Sequence, residues 1–202
     1  MLKFHLELNQ NFFMAEGQSQ TIYGLIRIRP EENAIKGRAL LDIKFLLDRS
    51  GSMSDRVSNI NMDINTIMDF LFSKKKSKNL TKLDLLKIAV NQFIDRMGLN
   101  DMISIITFDS RAKEVVSTVI KKEKDKNDIK KIVKQIRTGG STNMSEALNI
   151  ALNGSDTVNN VKRIIIFTDG DVNSPSVKEE EKACIELAGK AKKLKIPFTV
   201  FG

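Results

Sequence analysis

The chain has 202 residues, 41% of them hydrophobic, and 33 Lys and Arg against 25 Asp and Glu give a net charge of +8. That is enough apolar chain for one sizeable core and an appendage, which excludes a wholly disordered protein. A single cysteine and a single histidine exclude an internal disulfide and a His-rich zinc site, and give no case for a Ser/His/Asp hydrolase, so any metal here is held mostly by oxygen.

In chain order, Met1 to Glu7 offers no apolar stretch long enough for a signal peptide, and no later run approaches the roughly 20 apolar residues of a membrane span. The expectation is a cytoplasmic protein with no membrane span. Phe4 to Leu8 and Thr21 to Arg29 alternate with period two, most clearly at Ile22, Gly24, Ile26 and Ile28. They predict a small N-terminal β element over residues 1–38, ahead of a second domain over 39–202. Leu40 to Leu47, Met102 to Phe108 and Arg163 to Thr168 are mostly apolar runs, the pattern of strands buried on both faces. Between them, helical spacing holds for Leu83, Leu86, Ile88, Val90, Phe93 and Ile94, for Ile129, Ile132, Val133 and Ile136, and for Cys184, Leu187, Ala188, Ala191 and Leu194. Glu114 to Ile120 alternates more weakly after a turn at Asp109-Ser110-Arg111, as an antiparallel edge strand paired with the Met102 strand would. Pro197 to Phe201 is the last strand. Strands alternating with helices predict a Rossmann-like, doubly wound, mostly parallel α/β sheet flanked by helices.

The positive charge falls in short runs such as Lys74 to Lys78 and Lys121 to Lys126, with no aromatic residue between the lysines. With 6% aromatics, no Trp and one Tyr, stacking platforms for bases are scarce. The lysines read as solvated surface, with no specific nucleic-acid partner.

In open α/β sheets, ligands bind beyond the carboxyl ends of the strands, where the strand order reverses. Three segments fall there: Asp48-Arg49-Ser50-Gly51-Ser52-Met53-Ser54, Gly139-Gly140-Ser141-Thr142-Asn143, and Asp169-Gly170-Asp171. Two carboxylates and several hydroxyls suit a hard cation, Mg²⁺ or else Mn²⁺ or Ca²⁺. Asp48, Ser50 and Ser52 are spaced by two in a turn that Gly51 lets bend. Neutral hydroxyls donate weakly, so a cation they hold stays electrophilic toward an anionic ligand from outside. Asp109 and Asp171 read as solvated turn residues, Cys184 as a core residue and His5 as structural.

Asp48-x-Ser50-x-Ser52, Thr142 in Gly-Gly-Ser-Thr-Asn and Asp169 in Thr-Asp-Gly resemble the metal-ion-dependent adhesion site of von Willebrand factor A domains. The resemblance covers roughly Leu40 to Gly202. It implies strand order 3-2-1-4-5, a divalent cation contacted by Ser50, Ser52 and Thr142, Asp48 and Asp169 often bonded through water, and a carboxylate from a protein partner completing the shell. Two departures from the family accompany it. Residues of about 55–80 form an insertion, where Val57, Ile60, Ile64, Ile67, Met68 and Leu71 recur at helical spacing and predict an extra amphipathic helix beside the metal mouth. The sheet also lacks the helix and strand that normally follow Pro197 to Phe201, which reads as a C-terminal truncation and leaves an edge open to self-association.

The resulting expectation is a bacterial, non-enzymatic, divalent-cation-dependent protein-binding module whose partner presents an Asp or Glu carboxylate. One alternative is a regulatory subunit of an ATPase or chelatase-type complex, which would use the same site. A Mg²⁺-dependent phosphohydrolase is weaker, because its nucleophilic Asp needs a proton-handling acid two residues on, where this chain has Ser50.

Overall fold

In the computed structural model, the described residues are 2–8, 24–30, 38–57, 80–154, 160–170 and 177–202, the first two segments as backbone only. The predicted insertion helix falls mainly on 58–79, and Asp171 on 171–176, so both lie outside the described residues. The chain divides into two units, Met1–Ala39 and Leu40–Gly202.

In the first unit, β1 (Leu2–Leu8) and β2 (Gly24–Pro30) form an antiparallel pair with Leu2 opposite Pro30 and Leu8 opposite Gly24. The second unit is built on a five-stranded sheet of β3 (Leu41–Asp48), β4 (Met102–Phe108), β5 (Ala112–Val119), β6 (Val161–Phe167) and β7 (Phe198–Phe201). Their spatial order is β5-β4-β3-β6-β7. Counted from β3 this is 3-2-1-4-5, with only β5 antiparallel to its neighbour.

The apolar runs are continuous because each strand meets a hydrophobic layer on both faces. Ile43, Phe45 and Leu47 of β3 pack with Ile103, Ile105 and Phe167 under two helices, α1 (Lys82–Arg96) and α2 (Glu123–Gln135). Leu46 points the other way, joining Ile106, Phe108, Ile164 and Ile166 under α3 (Met144–Asn153) and α4 (Val177–Lys193). Phe167 stacks on Phe201 of β7 with ring centroids 5.2 Å apart, a geometry that adds about 0.5–1.5 kcal/mol beyond burial. Lys44, buried in the same central strand, donates from Nζ to the carbonyl oxygen of Gly154 at 2.7 Å, just past the C-terminus of α3. The cation there complements the negative end of the helix.

Helix starts follow their local chemistry. The Thr81 hydroxyl accepts from the Asp84 amide at 3.1 Å while the Asp84 carboxylate accepts from the Thr81 amide at 3.1 Å, a capping box that fixes where α1 begins. Asn143 caps α3 by accepting from the Glu146 amide at 3.1 Å. The helices that flank β3 therefore start at the same edge of the sheet at which β3 ends.

Candidate metal centre

β3 lies between two parallel neighbours: the chain builds β4 and β5 outward on one side of it and later returns to build β6 and β7 on the other, so its carboxyl end opens at the reversal of strand order. Asp48 stands there, fully buried. Its Oδ1 accepts from the Ser50 amide at 2.8 Å and its Oδ2 from the Thr168 hydroxyl at 2.7 Å. Each carboxylate oxygen therefore has one fixed donor and retains lone-pair capacity. The first bond closes the turn read from the Asp-x-Ser-x-Ser spacing. It brings the Ser50 and Ser52 hydroxyls within 3.2 Å of each other, and residues 51–54 continue as a single 3₁₀ turn.

The loop that carries Thr142 is joined to this turn through the main chain. The Gly51 amide donates to the Gly140 carbonyl at 2.9 Å and the Gly139 amide to the Arg49 carbonyl at 2.6 Å. A third element locks both. The Asp109 Oδ2 takes the Arg49 guanidinium at 2.5 Å and the Gly140 amide at 3.4 Å, Oδ1 takes the Arg111 amide at 3.2 Å, and the Asp109 carbonyl accepts from the Asn143 amide at 2.7 Å. Gly139 is glycine because a Cβ there would lie 1.9 Å from Asp109 Oδ2. Thr142 itself is buried.

Asp169 reaches the same edge by a different route. It follows Thr168 out of β6, and Gly170 turns the chain with φ 79°, a left-handed conformation that glycine adopts without Cβ strain. The Gly170 amide donates to the Thr168 hydroxyl at 3.1 Å, so Thr168 connects Asp48 to the Asp169 turn. Asp169 Oδ2 is held at 2.8 Å by the ammonium of Lys82, the first residue of α1, and that ammonium also stands 3.5 Å from Asp55 Oδ2. The hydrogen bond to Asp169 raises the Lys82 ammonium above its ordinary value against the desolvation that opposes it.

The sequence reading thus located Asp48, Ser50 and Ser52 in one turn, Thr142 in the loop bonded to that turn, and Asp169 on the adjoining strand end. It missed Thr168, Lys82 and the role of Asp109. Asp109 is a correction: it is buried rather than a solvated turn residue, at 8% exposure, because Arg49 and two backbone amides satisfy its charge. Burial pushes its carboxyl up, but the Arg111 amide, the Arg49 guanidinium and the Gly140 amide outweigh it and hold the group below the ordinary carboxylate value. Lys82 carried a signal of its own, since a cation in the first turn opposes the helix dipole and needs a compensating anion. Cys184 is partly buried against the second apolar layer, as expected of a core position.

Among the described residues, no three His, Cys, Asp or Glu side chains form a cluster. The candidate donors at this edge are instead two carboxylates, Asp48 and Asp169, and the hydroxyls of Ser50, Ser52 and Thr142, a set whose chemistry would fit a hard divalent cation. Such an ion would supply an electrophilic point for an anionic oxygen.

A doubly wound sheet with a polar rim at its switch point defines a class of α/β ligand-binding domains. Within that class, the chain belongs to the von Willebrand factor type A domain family, whose model matches residues 43–171. Among solved structures, an aerotolerance-related membrane protein from Bacteroides fragilis is 18% identical with a TM-score of 0.57, over 80% of this chain and 67% of that one. A von Willebrand factor type A protein from Catenulispora acidiphila is 18% identical with a TM-score of 0.54, over 98% of this chain and 39% of that one. Proximal thread matrix protein 1 from the mussel byssus, in a form with a zinc-occupied metal-ion-dependent adhesion site, is 18% identical with a TM-score of 0.52, over 80% of this chain and 35% of that one. These likenesses establish the fold. No curated protein matches the sequence. No helix among the described residues is long and apolar enough to cross a membrane.

Proposed function

We propose that the domain binds a protein partner through a divalent cation, Mg²⁺ in the first instance, held by Asp48, Ser50, Ser52, Thr142 and Asp169, with an Asp or Glu carboxylate of the partner as the incoming ligand. The observation that carries this reading is the joining of the Asp48 turn to the Thr142 loop by the Gly51–Gly140 and Gly139–Arg49 backbone bonds. Those bonds preorganise hydroxyls from separate segments before any ion arrives, which lowers the ordering cost of binding. With neutral hydroxyls in direct contact and the two carboxylates bonded through water, the cation stays electrophilic, and an external carboxylate gains from completing its shell.

The domain acts by binding and not by turnover. Ser50 occupies the place where a phosphohydrolase needs its second acid, and a hydroxyl does not exchange protons near neutral pH as a carboxyl does. The zinc-occupied site of the byssus protein supports the metal reading by analogy of fold.

Thermal unfolding with and without Mg²⁺ or Mn²⁺ tests the reading. At a hundred times its Kd, a ligand of the native state adds about 2.7 kcal/mol, which shifts the Tm of a domain this size by about 5–10 °C. Asp48→Ala and Thr142→Ala should each abolish the shift. A full shift in both variants would refute the site, and turnover of a generic phosphoester that disappears in Asp48→Asn would favour the enzyme.

A further inference from the structure

We propose that Lys82 is a tethered competitor for the metal: its ammonium neutralises Asp169 when the site is empty of cation, and must be handed to Asp55 when a divalent ion takes Asp169. The inference rests on the metal reading above and adds a regulatory element to it.

Three observations support it. Lys82 Nζ lies 2.8 Å from Asp169 Oδ2, within bonding distance of a proposed metal-site carboxylate, and one oxygen cannot hold an ammonium and a divalent ion along the same direction. A second carboxylate is within reach of the same nitrogen: Asp55 Oδ2, at 3.5 Å, is far more exposed than Asp169, with side-chain exposures of 63% and 10%. The backbone keeps that alternative close, because the Lys82 amide donates to the Asp55 carbonyl at 3.0 Å. The side chain thus needs only a rotamer change to move from the buried anion to the exposed one. An ammonium in the first turn of α1 is disfavoured by the helix dipole, so its position depends on these two carboxylates.

The arrangement makes metal affinity depend on how the lysine divides itself between two anions. Removing the ammonium removes the competitor. Removing Asp55 removes the place to which it is displaced, so metal must then work against a lysine with one partner.

Calorimetric titration of the folded chain with Mg²⁺ and Mn²⁺ tests the proposal. Lys82→Met should tighten binding by about three- to tenfold, the factor corresponding to a partly exposed ion pair. Asp55→Asn should weaken binding in the native background and have no effect in Lys82→Met, a non-additivity expected only of a shared mechanism. In the unsubstituted chain, saturating Mg²⁺ should increase acylation of the Lys82 amine by an N-hydroxysuccinimide ester, read by peptide mass spectrometry. Metal binding that is unchanged or weaker in Lys82→Met, or Lys82 acylation that does not respond to Mg²⁺ in a chain that binds it, overturns the competitor and leaves the metal site standing. If neither the native chain nor Lys82→Met binds metal while both remain folded, the metal reading fails and this one with it.

Discussion

The two sides of the centre are built from different kinds of bond. On the Thr142 side, main-chain hydrogen bonds of 2.6 and 2.9 Å join the loops, and Asp109 seals them with its carboxylate buried. On the Asp169 side, the carboxylate is tied to α1 through a side-chain ion pair to Lys82, whose side chain is 34% exposed. Backbone bonds hold geometry without spending side-chain rotamer entropy, whereas a partly exposed ion pair contributes about 1 kcal/mol and can re-form elsewhere. A binding site with one rigid side and one exchangeable side has its shape set by the first and its occupancy by the second.

The largest effect that would break this contrast lies at Asp109. Asp109→Ala takes the carboxylate from Arg49, which keeps its bond to the Arg137 carbonyl, and strands two amides, and should cost about 2–3 kcal/mol in urea denaturation, while Lys82→Met should cost less than about 1 kcal/mol. Equal costs would mean that both sides are structural. Next, Gly139→Ala places a Cβ 1.9 Å from Asp109 Oδ2, and the overpacking should cost about 1–3 kcal/mol and weaken metal binding with it.

A pH series sharpens the comparison further. Because the folded-state value of Asp109 lies below its unfolded value, its contribution is fully present above about pH 4 and is lost as pH falls through the folded value. Denaturation midpoints measured from pH 5 to pH 2 should fall less steeply in Asp109→Asn than in the native chain. The smallest effect concerns Cys184, which lines a groove of about 470 Å³ together with Thr168 and Gly170. Burial and the neighbouring Glu180 push its thiol up to about 11, so iodoacetamide at pH 8 should label it at least about a hundredfold more slowly than a free thiol. Mg²⁺ should slow it further if ordering Asp169 also steadies the groove.

What could be read from the sequence follows the range of the interactions. The Asp48 turn is local, spanning residues two apart, and the apolar runs of β3, β4 and β6 identify buried strands to within a few residues. The weaker alternation of β5 has a physical cause: Ile105 pairs with Val116 and Ile106 with Glu114, so Val115 is an extra residue that interrupts the period. The pairs that lock and gate the centre lie 60 residues apart for Arg49–Asp109 and 87 apart for Lys82–Asp169. Neither leaves a periodic trace, and a lone aspartate in a turn looks solvated until its distant arginine is known.

Ala147 and Ala151 present small side chains from α3 to the sheet, both at 0% exposure. They act as a shim, letting the helix lie close to β3 and β4 and thereby fixing the height of its capped end, from which the Thr142 loop extends. A valine at either position would raise that end by a fraction of an ångström, at an overpacking cost of about 1–3 kcal/mol. The bite of the centre is therefore adjustable from its back, methyl by methyl, without exchanging any side chain that would touch the ion.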